Sequence, residues 1–443
     1  MRVPARPLKK GHHMVSRRTV LSGGLVASAA AALAACSPSD SGSSAKKGSA
    51  SDAGALKFRI WDSTAKAAYE ESLKKFTEES GIKVEVEVVP WDDYWTKLPL
   101  DLSDGASDSA PDVFWLNSAS FTQFQQAGAL VDISEKLGGS VKDWEKAVVD
   151  LYTRDGSLWG VPQVWDSIAL FYNKNLTDAA GVDPTTLAFD PTAGSDALRD
   201  AATALTKDGV FGFNAACDRQ SIIGPFLSSN GAEWQDANDM YAFDSEQGVQ
   251  VFSYLAALVN ELKVAPSAAD TNTNGDFARD LFIQGKLGLF QSGPFSLKTI
   301  HDSVDGAFEW AIAPMVAGPK GAKSLVHGVV AAGNAKREDQ ESVVKLLEWL
   351  GSKEGQLPLG EQGISFPGHV DAQQSFVDFW KEQGVDVEQF IEAAKNPGPA
   401  DTGAKSLAGL NAVMPVFQEI FAGNLSAEEG VKKAQEEGNA AMA

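Results

Sequence analysis

Tryptophan residues stand beside short polar residues at three points in the chain, and the first two of these points follow predicted strands. The groups are Trp61 with Asp62, Trp115 with Asn117 and Ser118, and Trp165 with Asp166. Aromatic rings stack on apolar C–H faces, whereas carboxylate and amide oxygens accept hydrogen bonds from hydroxyl groups. These residues therefore predict a site for a ligand that presents both kinds of surface.

Other candidate residues fall in turns or at the start of a strand. They are Trp91, Trp234, Gly293, Pro294, Phe295 and His327. Every candidate also has a structural alternative, because tryptophan packs in cores, aspartate caps helices and turns, and a lone histidine is more often structural. For Trp234 the alternative is a place on a surface hairpin.

The segments that position these residues alternate between strand and helix patterns. The stretches "LKFRIWD" and "PDVFWLN" indicate buried strands, and "IKVEVEVVP" alternates apolar and polar residues as a half-exposed strand does. Tyr69, Leu73 and Phe76 mark one face of an intervening helix. Later segments repeat the alternation, so an α/β fold is predicted throughout. Ligands of open α/β sheets bind beyond the carboxyl ends of the strands, where most candidates lie.

The first residues have the pattern of an export signal. Arg17 and Arg18 precede an apolar stretch that ends in "LAAC" and is too short to span a bilayer comfortably. "LAAC" resembles the lipobox of bacterial lipoproteins, in which Cys36 becomes the lipidated first residue. "SRRTVL" resembles a twin-arginine signal, with the general secretory route as the alternative. We expect residues 1–35 to be removed and residues 36–55, rich in Ser, Gly and Lys, to form a flexible lipidated tether.

The charge balance and the cysteine count restrict the function further. The chain has 38 basic and 59 acidic residues, and without the signal 32 basic residues remain. This excess of acid argues against nucleic acid and anionic lipid as partners. Cys217 is the only cysteine besides Cys36, so no internal disulfide is expected. The three histidines after the signal lack metal-ligand spacing, and no metal or cofactor is expected.

Four segments together resemble the family 1 extracellular solute-binding proteins, the lipid-anchored sugar receptors of ABC importers, of which maltose-binding protein is a relative. The segments are "PDVFWLNSASFTQFQQAGALVDISE", "DGSLWGVPQVWDSIALFYNKNLTDAAGV", "LFIQGKLGLFQSGPFSLKTI" and "WAIAPMVAGPKGAKSLVHGVVAAGNAKRED". They cover most of the chain after the tether in the family's order.

The resemblance implies a two-lobe, type II periplasmic-binding-protein-like fold, in which hinged α/β lobes close on a ligand in the cleft between them. The first lobe would comprise 56–166 and 314–362, and the second lobe 167–313 and 363–443. Crossovers between the lobes would fall near 166–169, 313–314 and 360–367.

The resemblance also implies a monomeric receptor at the extracellular face of the cell membrane. It would bind a mono- or oligosaccharide without changing it and deliver it to the permease subunits of an ABC transporter. The candidate residues would contact the sugar, with Phe295 at the position of an aromatic platform that is tryptophan in many members of the family.

Two other functions stay open at this point. An exported glycoside-active enzyme also needs aromatic subsites and two carboxylates, but no motif selects a pair among the 59 acidic residues. A receptor for a non-sugar solute, such as a peptide or a polyamine, would suit the acidic surface.

Overall fold

The computed structural model describes residues 54–103, 109–403 and 405–443. The predicted export residues Arg17 and Arg18 and the predicted lipidation site Cys36 lie outside the described residues. In the described part of the chain, no helix combines the length and apolarity needed to span a bilayer.

The described strands are β1 Leu56–Ile60, β2 Val84–Val88, β3 Val113–Asn117, β4 Thr153–Arg154, β5 Ser157–Leu158, β6 Val161–Asp166, β7 Ala169–Asn173, β8 Phe211–Phe213, β9 Leu287–Ser292, β10 Trp310–Ala313, β11 His327–Gly333 and β12 Phe366–Pro367.

The described α-helices are α1 Lys66–Ser80, α2 Trp91–Ser103, α3 Ser118–Gln126, α4 Ser134–Leu137, α5 Lys146–Leu151, α6 Lys174–Ala180, α7 Ala197–Leu205, α8 Gly224–Asn230, α9 Glu246–Asn260, α10 Ala268–Thr271, α11 Phe277–Ile283, α12 Leu297–Val304, α13 Gln340–Leu350, α14 Lys353–Glu361, α15 Gln373–Glu382, α16 Glu388–Ala394, α17 Ser406–Phe421 and α18 Ala427–Met442.

The larger sheet has the strand order β12-β6-β11-β3-β1-β2. β1 pairs in parallel with β2 and β3, as expected of strands that are joined through helices. β11 is antiparallel to both β3 and β6. The carboxyl ends of β1, β2, β3 and β6 therefore share one edge with the start of β11.

The smaller sheet has the order β10-β7-β9-β8. β7 is antiparallel to β9 and β10, whereas β8 and β9 are parallel. The chain passes from the larger to the smaller sheet through Ser167 and Ile168 alone, which separate β6 from β7. It returns between β10 and β11. These sheets, each covered by helices, form the α/β lobes that the sequence predicts.

Three apolar clusters hold the lobes. One packs α1, α13 and α14 against the larger sheet, and a second packs α9, α17 and α18 against the smaller sheet. The third contains side chains from both sheets, including Trp165 of β6, Phe171 of β7 and Phe366 of β12. The two lobes are therefore joined through a shared apolar region as well as through the connecting chain.

A buried cation fixes the start of the larger sheet. Arg59 of β1 is 2% exposed, and its Nε donates to Glu87 Oε2 of β2 at 2.7 Å. Its Nη1 donates to Asp101 Oδ2 of α2 at 2.7 Å, and its Nη2 donates to the Ser109 carbonyl at 2.9 Å. The guanidinium thus links two adjacent strands to the helix that follows them.

Replacing this cation should destabilise the fold. The Arg59→Met variant leaves Glu87 and Asp101 without their shared counter-ion, so we expect the free energy of unfolding to fall by about 3 kcal/mol in urea titrations. Lys345→Ala is the control, because it breaks an exposed ion pair with Glu341, and the loss should stay below about 0.5 kcal/mol. Equal losses in the two variants would contradict a structural role for the Arg59 network.

Candidate ligand-binding cleft

A cluster of tryptophans occupies the carboxyl-end edge of the larger sheet. Trp61 follows β1, and its ring centroid lies 5.4 Å from that of Trp91, 5.5 Å from that of Trp95 and 4.9 Å from that of Trp115. Most of these contacts are edge to face, the arrangement that aromatic quadrupoles favour. Trp91 is 50% exposed, whereas Trp61 and Trp95 are partly buried. The cluster therefore presents indole surface to the outside of the sheet edge.

Trp115 supports this cluster from beneath. It is 3% exposed, and its Nε1 donates to the Tyr69 hydroxyl at 3.1 Å. That hydroxyl donates in turn to Gln163 Oε1 at 3.0 Å. Trp115 is therefore a packed interior side chain, which is the structural alternative that the sequence offered for it.

The polar candidates beside the cluster also carry local structural bonds. Asp62 Oδ1 accepts from the Thr64 backbone N–H at 2.8 Å and from the Thr64 hydroxyl at 2.7 Å. Asn117 caps α3, because its Oδ1 accepts from the Ser120 N–H at 2.9 Å. Ser118 is buried in the first turn of α3. Asp62 and Asn117 keep part of their surface accessible.

A second group of polar side chains lies where the lobes meet. Asp166 at the end of β6 is paired in register with His327 at the start of β11. Gln220, in a short π-helix at Arg219–Ile223, donates from Nε2 to Asp166 Oδ1 at 2.8 Å. π-Helical turns are rare and are frequent at functional sites. The Asp166–Gln220 bond connects the larger sheet to a helix of the other lobe.

Arg219 and Asp401 form an ion pair next to Gln220. Arg219 Nη2 lies 3.3 Å from Asp401 Oδ1, and the guanidinium carbon lies 3.9 Å from the centroid of the Trp234 ring. Trp234 Nε1 donates to the same carboxylate oxygen at 2.6 Å. Trp234 is 2% exposed and stacks on Phe243. Its indole is therefore an interior side chain that holds the ion pair.

The remaining candidates are dispersed. Trp165 is 4% exposed and stacks on Phe366 at 4.7 Å. Gly293, Pro294 and Phe295 follow β9, and Phe295 is 43% exposed. A side chain at position 293 would collide with the Phe295 ring, which lies 2.3 Å from the place of its Cβ. The structure thus brings Trp61, Trp91 and Trp115 together in one group, and Asp166 and His327 in another.

Comparison with known proteins decides the family. The sequence profile of the bacterial extracellular solute-binding proteins matches residues 61–357. The chain belongs to this family. UspC of M. tuberculosis is 37% identical, with 87% of this chain and 100% of that chain covered and a TM-score of 0.70. This protein therefore binds a solute and is not an enzyme. Its two-lobe fold is that of the periplasmic-binding proteins.

Two further relatives of the solute-binding protein have ligands in their names. Lmo0181 of Listeria monocytogenes, solved in complex with cycloalternan, is 21% identical with a TM-score of 0.77, covering 87% of this chain and 98% of that chain. The maltodextrin-binding protein MdxE of Bacillus subtilis is 25% identical over 405 residues, which cover 85% of this chain and 88% of that protein.

Sequence reasoning missed four residues that the structure places in the two candidate groups: Trp95, Arg219, Gln220 and Asp401. Trp95 had a detectable signal, because the spacing of four in "WDDYW" places Trp91 and Trp95 on one face of a helix. Arg219 and Gln220 lie together in the π-helix, and Asp401 lies in a loop 182 residues after Arg219, so no local spacing links them. Only the folded solute-binding protein brings them to Asp166 and His327.

Burial raises the pKa of one titratable group at the junction and lowers the pKa of the other. Burial raises the pKa of Asp166 to about 8, and the Gln220 hydrogen bond opposes the shift. Burial lowers the pKa of His327 from its ordinary 6.5 to about 4, with Asp401 opposing and Arg219 reinforcing the shift. Both groups therefore favour their neutral forms near pH 7. Among the residues the structure describes, no cluster of metal-binding side chains occurs.

His327 should make the solute-binding protein sensitive to acid. Its pKa is lower in the folded state, so the unfolded chain takes up the proton first as the pH falls from about 6.5 toward 4. The free energy of unfolding therefore decreases over that range. The His327→Gln variant lacks this titrating group. Its free energy of unfolding in urea should therefore fall less between pH 7 and pH 4.5 than that of wild type. Identical decreases in the two proteins would show that His327 is not the group responsible.

Proposed function

We propose that this protein is a lipid-anchored extracellular receptor that binds a saccharide in the cleft between its lobes and delivers it to the permease of an ABC transporter. The observation that carries the proposal is the tryptophan cluster around Trp61, which opens on the same sheet edge as the polar junction at Asp166. A saccharide needs both surfaces, because its C–H faces stack on indoles and its hydroxyls need hydrogen-bond partners.

The names of two relatives support a saccharide over a peptide or a polyamine. MdxE is a maltodextrin-binding protein, and Lmo0181 was solved with cycloalternan. The polar junction agrees with an uncharged ligand, since the Arg219 cation is already paired with Asp401 and is stacked on Trp234. We take the ligand to be an oligosaccharide, because maltodextrin and cycloalternan, which these relatives' names give, are both oligosaccharides.

Closure of the lobes is the proposed mechanism of capture. The lobe limits remain those of the sequence prediction, 56–166 with 314–362 and 167–313 with 363–443. The two-residue connection at Ser167 and Ile168 gives the lobes a short pivot, and short pivots of this kind absorb hinge motion. Closing the cleft removes the sugar from water, which strengthens its hydrogen bonds, and creates the surface that the permease recognises.

The anchor is proposed from the sequence. Lipid on Cys36 and a tether at 36–55 would hold a monomeric receptor near the permease. A single acyl chain gives only marginal membrane binding, so a multiply acylated cysteine is the physically sufficient form.

Ligand titration followed by tryptophan fluorescence tests the binding function. Glucose, maltose, maltotriose and cellobiose are compared with glutamate, lysine and spermidine, and we expect at least one saccharide to shift the emission while spermidine does not. The Trp61→Ala variant should bind that saccharide about tenfold more weakly, equivalent to about 1.4 kcal/mol, because a stacking face is removed.

Trp159→Ala is the matched control for this change. Trp159 is also partly buried, but it follows β5 outside the Trp61 cluster, and its loss should leave the affinity within about twofold. A shift with spermidine but with no saccharide would overturn the saccharide proposal. Release of shorter sugars from maltotriose would contradict binding without chemistry.

The anchor has its own test. Membranes of cells producing wild type or the Cys36→Ala variant are separated from the soluble fraction, and the intact proteins are weighed by mass spectrometry. We expect wild type in the membrane fraction with the added mass of acyl groups, because only the cysteine thiol carries the lipid. Wild type that lacks acyl mass would refute the anchor without affecting the binding function.

A further inference from the structure

Asp166 occupies an unusual place for a carboxyl group. It ends β6 immediately before the two residues that lead into the other lobe, and part of its side chain stays accessible. Most of its surroundings are buried, including Trp165, Ser167 and Ile168 on either side along the chain. Asp166 is therefore a carboxyl group at the lobe junction that keeps some surface but that water solvates poorly.

The hydrogen bond that Asp166 makes comes from a neutral group. Gln220 Nε2 donates to Oδ1 at 2.8 Å. An amide carries no net charge, so it stabilises a carboxylate less than a guanidinium or an ammonium does, because those groups add the attraction between opposite charges. The bond therefore compensates for only part of the hydration that an ionised Asp166 would lose.

The charged and titratable groups around Asp166 do not supply the missing counter-ion. His327 faces it from β11, and Tyr152, which follows α5, donates its hydroxyl to the Gly328 carbonyl at 2.6 Å. From the other lobe, Arg219 comes with Gln220, but its guanidinium is paired with Asp401 and lies on the Trp234 ring. The Arg219 charge is thus largely balanced before it can act on Asp166.

We propose that Asp166 binds the ligand in its protonated form, with the carboxyl O–H donating a hydrogen bond to an uncharged oxygen of the saccharide. This inference rests on the proposed function and specifies the chemistry of the same cleft. A ring, glycosidic or hydroxyl oxygen can accept the bond, whereas an ammonium group cannot.

The pH dependence follows from the same arrangement. Burial raises the pKa of Asp166 to about 8. Below that pH the donor proton is present, and above it the free protein must take up a proton in order to bind. The dissociation constant should therefore rise about tenfold per pH unit above 8. His327 has a pKa lowered to about 4 and cannot produce a change in this range.

Isosteric substitution distinguishes a donor from an acceptor. Asp166→Asn keeps an N–H donor and an oxygen that accepts from Gln220, but it cannot ionise. Calorimetric titrations at pH 6.5, 8 and 9.5 use the saccharide that gives the largest fluorescence change in the panel above. We expect the variant to bind within about threefold of wild type at pH 6.5 and to lose the weakening above pH 8. Asp166→Ala, which has no donor and cannot ionise, should bind at least tenfold more weakly than Asp166→Asn at every pH.

Asp302→Asn serves as the matched control, because it makes the same chemical change at an exposed residue paired with Lys298 on α12. It should reproduce the pH profile of wild type. Loss of binding in Asp166→Asn at pH 6.5, with retained folding by circular dichroism, would overturn the inference and show that the carboxylate acts as an acceptor. A flat wild-type profile would overturn it as well. If wild type binds no saccharide at any pH, the proposed function itself fails, and the inference fails with it.

Discussion

The short connection between β6 and β7 constrains the whole molecule. Only Ser167 and Ile168 separate a strand of the larger sheet from a strand of the smaller one, and both residues are held in place. The Ser167 hydroxyl donates to the Phe390 carbonyl at 2.6 Å, and the Ile168 N–H donates to the Ser324 hydroxyl at 2.7 Å. Because the two sheets must diverge at this connection, the side chain of Asp166, which directly precedes it, lies at the junction of the lobes.

The lobes contribute different chemistry to the cleft. The larger sheet supplies indole surface at Trp61, Trp91 and Trp95, which is supported by buried Trp115. The other lobe supplies Gln220 and an ion pair that is already satisfied. In the proposed saccharide site, the aromatic wall would orient the ligand loosely, since stacking tolerates sliding, whereas directional hydrogen bonds at the junction would fix its register.

Much of the fold could be predicted from the sequence, because its strands and helices carry strong periodic patterns. The "LKFRIWD" strand is β1, and Tyr69, Leu73 and Phe76 are buried on one face of α1 as predicted. The site was less predictable. Trp234 lies beside the predicted hairpin, as the Gln235 to Tyr241 bridge shows, but its ring is interior. No local pattern indicated that Asp401 would accept the Trp234 N–H, since 167 residues separate the two.

The packing of Arg219 on Gly224 has an evolutionary consequence. A Cβ at position 224 would lie 1.9 Å from Arg219 Nη1, so the guanidinium fills the space that a side chain would need. Substitution at either position alone is disfavoured, and Trp234 and Asp401 depend on the same cation. We expect Arg219, Trp234 and Asp401 to vary together among homologues, so that lineages which lose the arginine also release the tryptophan and the aspartate from selection. The glycine should persist in those lineages, because the backbone carbonyl of residue 219 lies 2.8 Å from the place of a Cβ at position 224.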